Sequence, residues 1–400
     1  MNQLDINQLI QSWVAKTNLQ RKAERQSLAE ALTNLSLELE TAGSIEIVVD
    51  TLKSLHEDYG EDAVVREALA KVMTNCTLEL ETADLIEGVV EELRALHQEY
   101  KKDIVLRESL AEALASWALK LETASEIEKV IEELRVLYQE YKKDVVLRES
   151  LAEALASWAL KLETASEIEK VVKELRALHQ QYKRQYKKEV VLRESLAEAL
   201  ASWALNLETA SEIEKVIEEL RTLHQNFGEE AVIRVELSKA LFGLMEKRST
   251  PDTAETVVKE LRILHQGYGE EIAIRHLLAQ ALSYITALSK TSDEKAELVA
   301  ELRTLHQSHG NEAFVRQQLA EALHNLAGKL QSSQAIQDVV TELKKLHHDY
   351  GEEFVVKKAL AQVLYNWAVG NTSEIRELVA KELKLLLKDY GEELGNFKFD

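Results

Sequence analysis

Proline is almost missing from this sequence. Pro251 is the single example in 400 residues, alongside 13 glycines, where average usage gives roughly 20 and 28. Folds built from many strands and tight turns need these residues, so β-sandwiches, β-barrels and Gly/Pro-rich disorder are excluded. Cysteine is also down to one, Cys76, so no internal disulfide can form and a reducing compartment is favoured. No run of about 18 apolar residues occurs, so no membrane span is expected. The opening segment, MNQLDINQLIQSWV, lacks the basic start and apolar stretch of a secretory signal. Positive charge is the scarcer sign, with 49 Lys+Arg against 70 Asp+Glu and a net charge of −21. Such a balance repels nucleic-acid phosphates. The expectation is a cytoplasmic protein with neither a nucleic-acid nor a membrane partner.

What is present is a repeat. Apolar residues make up 46% of the chain, ample for a core. The landmark ELRxLH places leucines at Leu52, Leu93, Leu134, Leu175, Leu220, Leu261, Leu302, Leu343 and Leu383. The spacing is 41 residues except for one step of 45 and a last step of 40. A second landmark, LAxAL, keeps the same register at Leu28, Leu69, Leu110, Leu151, Leu196, Leu237, Leu278, Leu319 and Leu360. Nine repeats are therefore expected over residues 21–391, after a capping helix within 1–20 and before a tail at 392–400.

Each repeat reads as two helices. Leu147, Leu151, Leu155 and Trp158 recur at helical spacing and form one stripe. Thr164 with Glu167, and Ser166 with Glu169, are spaced as overlapping capping boxes that start the second helix. Its stripe runs through Ile168, Val171, Val172, Leu175, Leu178 and Tyr182. Most second helices stop at Tyr-Gly, as at Tyr59-Gly60, Tyr268-Gly269, Tyr350-Gly351 and Tyr390-Gly391. Glycine there is expected to adopt the left-handed conformation that closes a helix. The four extra residues near Tyr182 to Gln185 add about one helical turn and keep the apolar face in place. One hairpin cannot bury its stripe alone, whereas stacked hairpins can, which makes an all-α solenoid. At the C-terminal end, Phe397 and Phe399 could fold over Leu383, Leu386 and Leu387, or that end could stay open for association. Residues 103–143 and 144–184 match at 34 of 41 positions, so the centre was copied recently, as a binding surface or as a spacer.

The LA-x-x-L of the first helix (Leu151, Ala152, Leu155) and the VV-x-x-L-x-x-L of the second (Val171, Val172, Leu175, Leu178) resemble tetratricopeptide repeats. The period differs, 41 residues against about 34 in that family, and HEAT-type repeats share the longer period. The tryptophan lies late in the first helix, and the usual proline after the second is missing. The resemblance implies a right-handed α-solenoid of about nine antiparallel helix pairs. It also implies a non-catalytic protein-interaction scaffold with first helices lining a concave groove.

Several residue types recur once per repeat. Trp117, Trp158 and Trp203 share a register with Leu35, Cys76, Leu244, Ile285, Leu326 and Trp367; only apolar groups occur there, so this is core and Cys76 a small hydrophobe. His56, His97, His179, His224, His265, His306 and His347 mark one register of the second helix, shared with Tyr138 and Leu387. Neighbouring repeats stand about 10 Å apart, too far to share a metal, which needs ligands within about 2.1 Å. His306 and His309 share a face without a third ligand. The ladder reads as semi-buried packing, with pH sensing as the sharper alternative. A basic residue precedes LAxAL at Arg25, Arg66, Arg107, Arg148, Arg193, Arg234, Arg275, Arg316 and Lys357. An acid sits four residues earlier in eight repeats (Asp62, Asp103, Asp144, Glu189, Glu230, Glu271, Glu312, Glu353). The expectation is i,i+4 support within each helix. Arg94, Arg135 and Arg176 form a second basic ladder, also preceded by acids.

No enzyme signature is found. Gly328-Lys329 lacks a glycine-rich lead-in for phosphate, and the carboxylates follow the repeat without forming an acid/base pair. No cofactor is expected. In the tetratricopeptide register the groove would be lined centrally by Glu108, Glu112, Ala115 and Ser116, and by their copies Glu149, Glu153, Ala156, Ser157, Glu194, Glu198, Ala201 and Ser202. Towards the C-terminus the same positions carry His276, Gln280, Ser283, Tyr284, Gln317, Glu321, His324, Asn325, Lys358, Gln362, Tyr365 and Asn366. Aromatic rings and amides suit an interaction surface, so this half is the expected partner site, apart from the small Ser283. The partner would be a protein or peptide segment; the acidic centre could attract a basic one or merely be solvated. The rival expectation is end-to-end self-assembly through apolar terminal helices, where Leu385, Leu386 and Leu387 stand out.

Overall fold

The computed structural model describes residues 3–39, 41–181, 190–309, 311–350, 354–369 and 372–388. Among them are nineteen α-helices and no strand. Helix α1 (Gln3–Lys16) precedes two alternating series. The first helices are α2 (Lys22–Leu37), α4 (Ala63–Glu79), α6 (Ile104–Lys120), α8 (Val145–Lys161), α10 (Val190–Asn206), α12 (Ala231–Arg248), α14 (Ile272–Leu288), α16 (Ala313–Ala327) and α18 (Phe354–Val369). The second helices are α3 (Ala42–Tyr59), α5 (Ala83–Glu99), α7 (Ala124–Glu140), α9 (Ala165–Gln181), α11 (Ala210–Phe227), α13 (Pro251–Gly267), α15 (Ser292–Ser308), α17 (Ser333–Tyr350) and α19 (Ser373–Lys388). Tyr182 to Gln185, Glu189, Gly351, Glu353, Tyr390, Gly391, the tail with Phe397 and Phe399, and the side chain of Leu387 lie outside the described residues.

The chain divides into two units, Met1–Asn206 and Leu207–Asp400. In the first, α2, α4, α6, α8 and α10 pack side by side in chain order. Each second helix touches the first helix of its own repeat and packs more extensively on that of the next: α3 on α4, α5 on α6, α7 on α8 and α9 on α10. Helix α1 buries Ile6 and Ile10 and packs chiefly on α3. The second unit repeats the scheme, with α12, α14, α16 and α18 in a row and α13, α15 and α17 each favouring the next first helix. Within each unit, and among the described residues, second helices make no close backbone contact with one another. The chain is therefore an all-α protein with the repeating helix-pair packing of a helical solenoid. Its core consists of the landmark leucines, such as Leu110, Leu134, Leu151 and Leu175, together with small residues such as Ala111 and Ala152.

Local chemistry sets the helix ends. Asp103 and Asp144 cap α6 and α8 by accepting hydrogen bonds from backbone N–H groups of Val105, Leu106, Val146 and Leu147, which satisfies donors left over at a helix start. Of the two overlapping boxes, Thr164 sets the start of α9. Its Oγ1 accepts from the Glu167 N–H at 3.3 Å and donates to the Glu167 carboxylate at 2.5 Å, while Ser166 lies inside the helix. The reciprocal box forms at Thr291 and Glu294.

Two expectations are corrected. Gly60 and Gly228 are right-handed, with φ of −57° and −63°, so these glycines do not close their helices by a left-handed turn. The need is for space: a Cβ on Gly60 would stand 3.0 Å from the His56 carbonyl oxygen and 3.2 Å from its ring, and one on Gly228 would come 2.8 Å from the His224 carbonyl oxygen. The spine arginines are the second case, their ion pairs running forward to the next repeat and not back to the acid four residues earlier. Five of them pair with the acid of the next repeat: Arg25 with Asp62 (3.1 Å), Arg66 with Asp103 (2.9 Å), Arg107 with Asp144 (2.7 Å), Arg234 with Glu271 and Arg275 with Glu312. The same guanidinium reaches back as well. Arg25 donates to the Leu19 carbonyl and Arg66 to that of Gly60, at 2.7 and 3.1 Å, and Arg234 and Arg275 donate to those of Gly228 and Gly269. Its plane lies over the tyrosine that ends the second helix of its repeat, with Arg66 and Arg107 each 3.9 Å from the rings of Tyr100 and Tyr141. Arg25, Arg66, Arg234 and Arg275 thus tie the loop before their helix to the loop one repeat later.

A buried charge also breaks the repeat. Lys295 occupies the register of Ile127, Ile168 and Ile213, is 2% exposed, and donates to the Thr286 carbonyl at the end of α14. Burial lowers its pKa, reinforced by the charge of Lys329. A lysine whose folded pKa is depressed costs stability while charged, and the cost fades as pH approaches its unfolded value of 10.5. Lys295→Met should therefore be more stable than wild type at pH 7 by about 1–2 kcal/mol, with the gap narrowing towards pH 10.5. Urea unfolding at both pH values checks this.

Candidate functional site

The second basic ladder closes the side of the solenoid formed by the second helices. Arg94 forks onto Glu133 at 2.9 and 2.7 Å, Arg221 onto Glu260 at 2.9 and 2.7 Å, and Arg303 onto Glu342 at 2.8 and 2.7 Å. Arg135 to Glu174 and Arg262 to Glu301 repeat the pattern. These bridges span the gaps between second helices, and side chains rising from the first helices fill the space beneath. Trp117, Trp158 and Trp203 do so in the first unit, half-buried, with Arg94, Arg135 and Arg176 over their rings at 5.6, 5.9 and 5.4 Å. In the same register Leu35, Cys76, Leu244, Ile285, Leu326 and Trp367 are buried. Burial pushes the Cys76 thiol up to about 11, so it is protonated and unreactive at neutral pH.

The described histidines of the second-helix ladder are half-buried. His56 and His224 meet Tyr100 and Tyr268 edge-on, with centroids 6.3 and 6.2 Å apart. Burial lowers the pKa of His56, His97, His224 and His265, and the neighbouring spine arginine (Arg66, Arg107, Arg234 or Arg275) lowers it further. These rings stay neutral to lower pH than an ordinary histidine. Among the described residues no group of three or more His, Cys, Asp or Glu is placed to hold a metal ion, and no helix is long and apolar enough to cross a membrane.

The first helices carry the candidate interaction faces. In the first unit, Glu112 and Glu153 are exposed, while Glu108, Glu149, Glu194 and Glu198 are half-buried. They lie along α6, α8 and α10 beside buried Ala115, Ala156 and Ala201. Loss of water pushes the carboxyls of Glu108, Glu112 and Glu153 above the ordinary value. Like charge adds to this: Asp144 at Glu108, then Glu108 and Glu149 at Glu112, then Glu149, Glu112 and Glu194 at Glu153. The result is one acidic strip running across three adjacent helices.

In the second unit, His276, Gln280, Gln317, His324, Asn325, Gln362, Tyr284 and Tyr365 are half-buried, and Glu321, Lys358 and Asn366 are exposed. Ser283 is buried. The contacts tie two members to residues outside the set. His276 stacks on Phe314, with centroids 4.7 Å apart, and its Nε2 lies 3.2 Å from the Glu312 carboxylate. The Tyr284 hydroxyl is 2.9 Å from Ser249 Oγ, where Ser249 ends α12 with a left-handed φ of 44°. Burial lowers the pKa of His324, with Lys358 contributing, and His324 Nδ1 is buried with no partner among the described residues.

Lys295 and the forward partners of the spine arginines are absent from the reading of the sequence. Lys295 had a signal, a charge at an otherwise apolar position. No protein-family model matches the chain, and no curated protein matches it.

The glutamate strip has a measurable pH consequence. Carboxyls whose folded pKa is raised cost nothing below their unfolded value of 4.5 and cost most above the folded one. Glu112→Gln with Glu153→Gln should be more stable than wild type at pH 7.5 by a few tenths of a kcal/mol per site. The difference should close by pH 4 in thermal unfolding followed by circular dichroism.

Proposed function

We propose that this chain is a tetratricopeptide-like, right-handed solenoid of nine antiparallel helix pairs, acting in the cytoplasm as a non-catalytic scaffold. The first helices form a concave groove that takes a basic peptide or protein segment. The observation that carries this is the strip of Glu108, Glu112, Glu149, Glu153 and Glu194, whose like charges crowd one face of α6, α8 and α10. Lysine or arginine side chains laid along it would relieve that repulsion, and the small residues between the glutamates leave room for a main chain. The rings and amides of Tyr284, His324, Asn325 and Tyr365 in the second unit supply side-chain selectivity within this reading.

The test is calorimetric titration with a peptide of alternating lysine and alanine, against its lysine-to-glutamine counterpart. Binding to the lysine peptide alone is expected, weakening with salt. It should be lost in Glu112→Gln/Glu149→Gln/Glu153→Gln and kept by Tyr284→Ala/His324→Ala/Tyr365→Ala. Equal binding by wild type and the glutamine variant overturns it.

End-to-end self-assembly remains a second reading because of α19. Leu378 and Leu385 are 51% and 55% exposed there, and Leu383 is half-exposed where the corresponding Leu343 is fully buried. Growth of mass with concentration in sedimentation would favour that reading.

A further inference from the structure

In the second unit, the gap between α13 and α15 is left open above α14. It forms a slot of about 840 Å3, within the range of about 300–1,000 Å3 typical of ligand sites. Ile285 and Leu288 make its floor and Val258 part of a wall. The Arg262–Glu301 bridge crosses it, with Nε and Nη2 at 2.9 and 2.6 Å from the carboxylate. The first unit shows what such a gap holds. Ile285, Arg262, Glu301 and Val258 correspond in register to Trp117, Arg94, Glu133 and Val90. There the indole fills the space and Arg94 lies 5.6 Å over its ring, while bridging to Glu133. At α14 the bridge is kept and the indole is replaced by a smaller side chain.

The rim carries charge. Asp252, Glu255 and Glu297 are exposed on it and make no ion pair among the described residues. With Glu294 and Glu301 they give five carboxylates, against three cations, Lys259, Arg262 and Lys290.

We infer that this slot binds a partner peptide through an inserted aromatic side chain, seated on Ile285 beneath Arg262, with a basic residue beside it meeting the rim carboxylates. The ring takes the place that the chain's own indoles occupy in the first unit, where stacking under a guanidinium is already part of the structure. The slot lies between second helices of the second unit, on other elements than the glutamate strip, and does not depend on the groove proposed above.

The plug for this site is supplied by the repeat itself. Ile285→Trp places an indole where Trp117, Trp158 and Trp203 already stand, and Trp367 shows that the second unit accommodates one in this register. The probe is acetyl-Lys-Trp-Lys-amide, compared with acetyl-Lys-Ala-Lys-amide and acetyl-Gln-Trp-Gln-amide, observed by isoleucine-methyl NMR of the full chain. The tryptophan–lysine probe should shift the Ile285 methyl group and bind about tenfold more tightly than either control. Binding should vanish in Ile285→Trp, weaken in Glu255→Gln/Glu297→Gln, and be unchanged in Glu112→Gln/Glu149→Gln/Glu153→Gln. An Ile285 methyl that responds equally to the alanine probe, or undiminished binding to Ile285→Trp, overturns the assignment. Equal binding of the two tryptophan probes overturns the part given to the rim.

Discussion

A spine arginine such as Arg66 holds two loops one repeat apart, and the stacking of the repeats within each unit depends on that reach. Arg66 donates back to the Gly60 carbonyl, lies over Tyr100 and pairs with Asp103, all at once. Its partner Asp103 is also the cap of α6, so the helix start and the repeat-to-repeat bond share one carboxylate. A guanidinium suits this task because it offers five donors in a plane with a stackable face; an ammonium offers neither. The side chains of Arg107 and Asp144 are 8% and 7% exposed. Removing either would leave a buried charge uncompensated, and such losses cost about 3–5 kcal/mol. The clamp explains why a base, an acid and a terminal tyrosine return together in repeat after repeat.

Fixing the loops in this way leaves the two helix series with different work. Within each unit, second helices stand apart from one another and are joined by half-buried Arg–Glu forks, with tryptophan or leucine filling the gaps from below and Ile285 leaving one open. Bridges still reached by water are individually weak, about 0–1 kcal/mol, and set spacing more than strength. First helices pack directly side by side, so whatever recurs on their outer positions becomes a continuous strip. In the copied repeats that strip is glutamate. Its mutual repulsion is a cost that the clamp and the core carry, and one that the proposed basic partner would relieve.

The helix-pair organisation was legible because period, apolar stripe and caps all agreed. The landmark leucines other than Leu383 fall in the core, and Thr164 begins its helix where the spacing placed it. The partners of the charged ladders were not legible, for an arithmetical reason. In a 41-residue repeat, the acid four residues before Arg107 recurs 37 residues after it, as Asp144. Spacing alone cannot separate a bond within a helix from one between repeats. The glycines were misread for a related reason: Gly60 resembles a helix-closing residue in sequence, whereas its place beside the His56 ring and carbonyl asks for a missing Cβ. The slot over Ile285 shows only when its neighbours' indoles are placed under their bridges, since an isoleucine at a core position gives no sign of space left above it.

The central claim is that the arginine clamp couples adjacent repeats. It is tested most directly by a double-mutant cycle on the full chain, with Arg107→Met, Asp144→Asn and the pair compared by urea unfolding. Asparagine keeps the capping acceptor and removes the charge, so the cycle isolates the bond between repeats. A coupling energy above about 2 kcal/mol is expected for a buried, stacked pair of this kind. A value below about 0.5 kcal/mol, that of an exposed ion pair, would contradict the account.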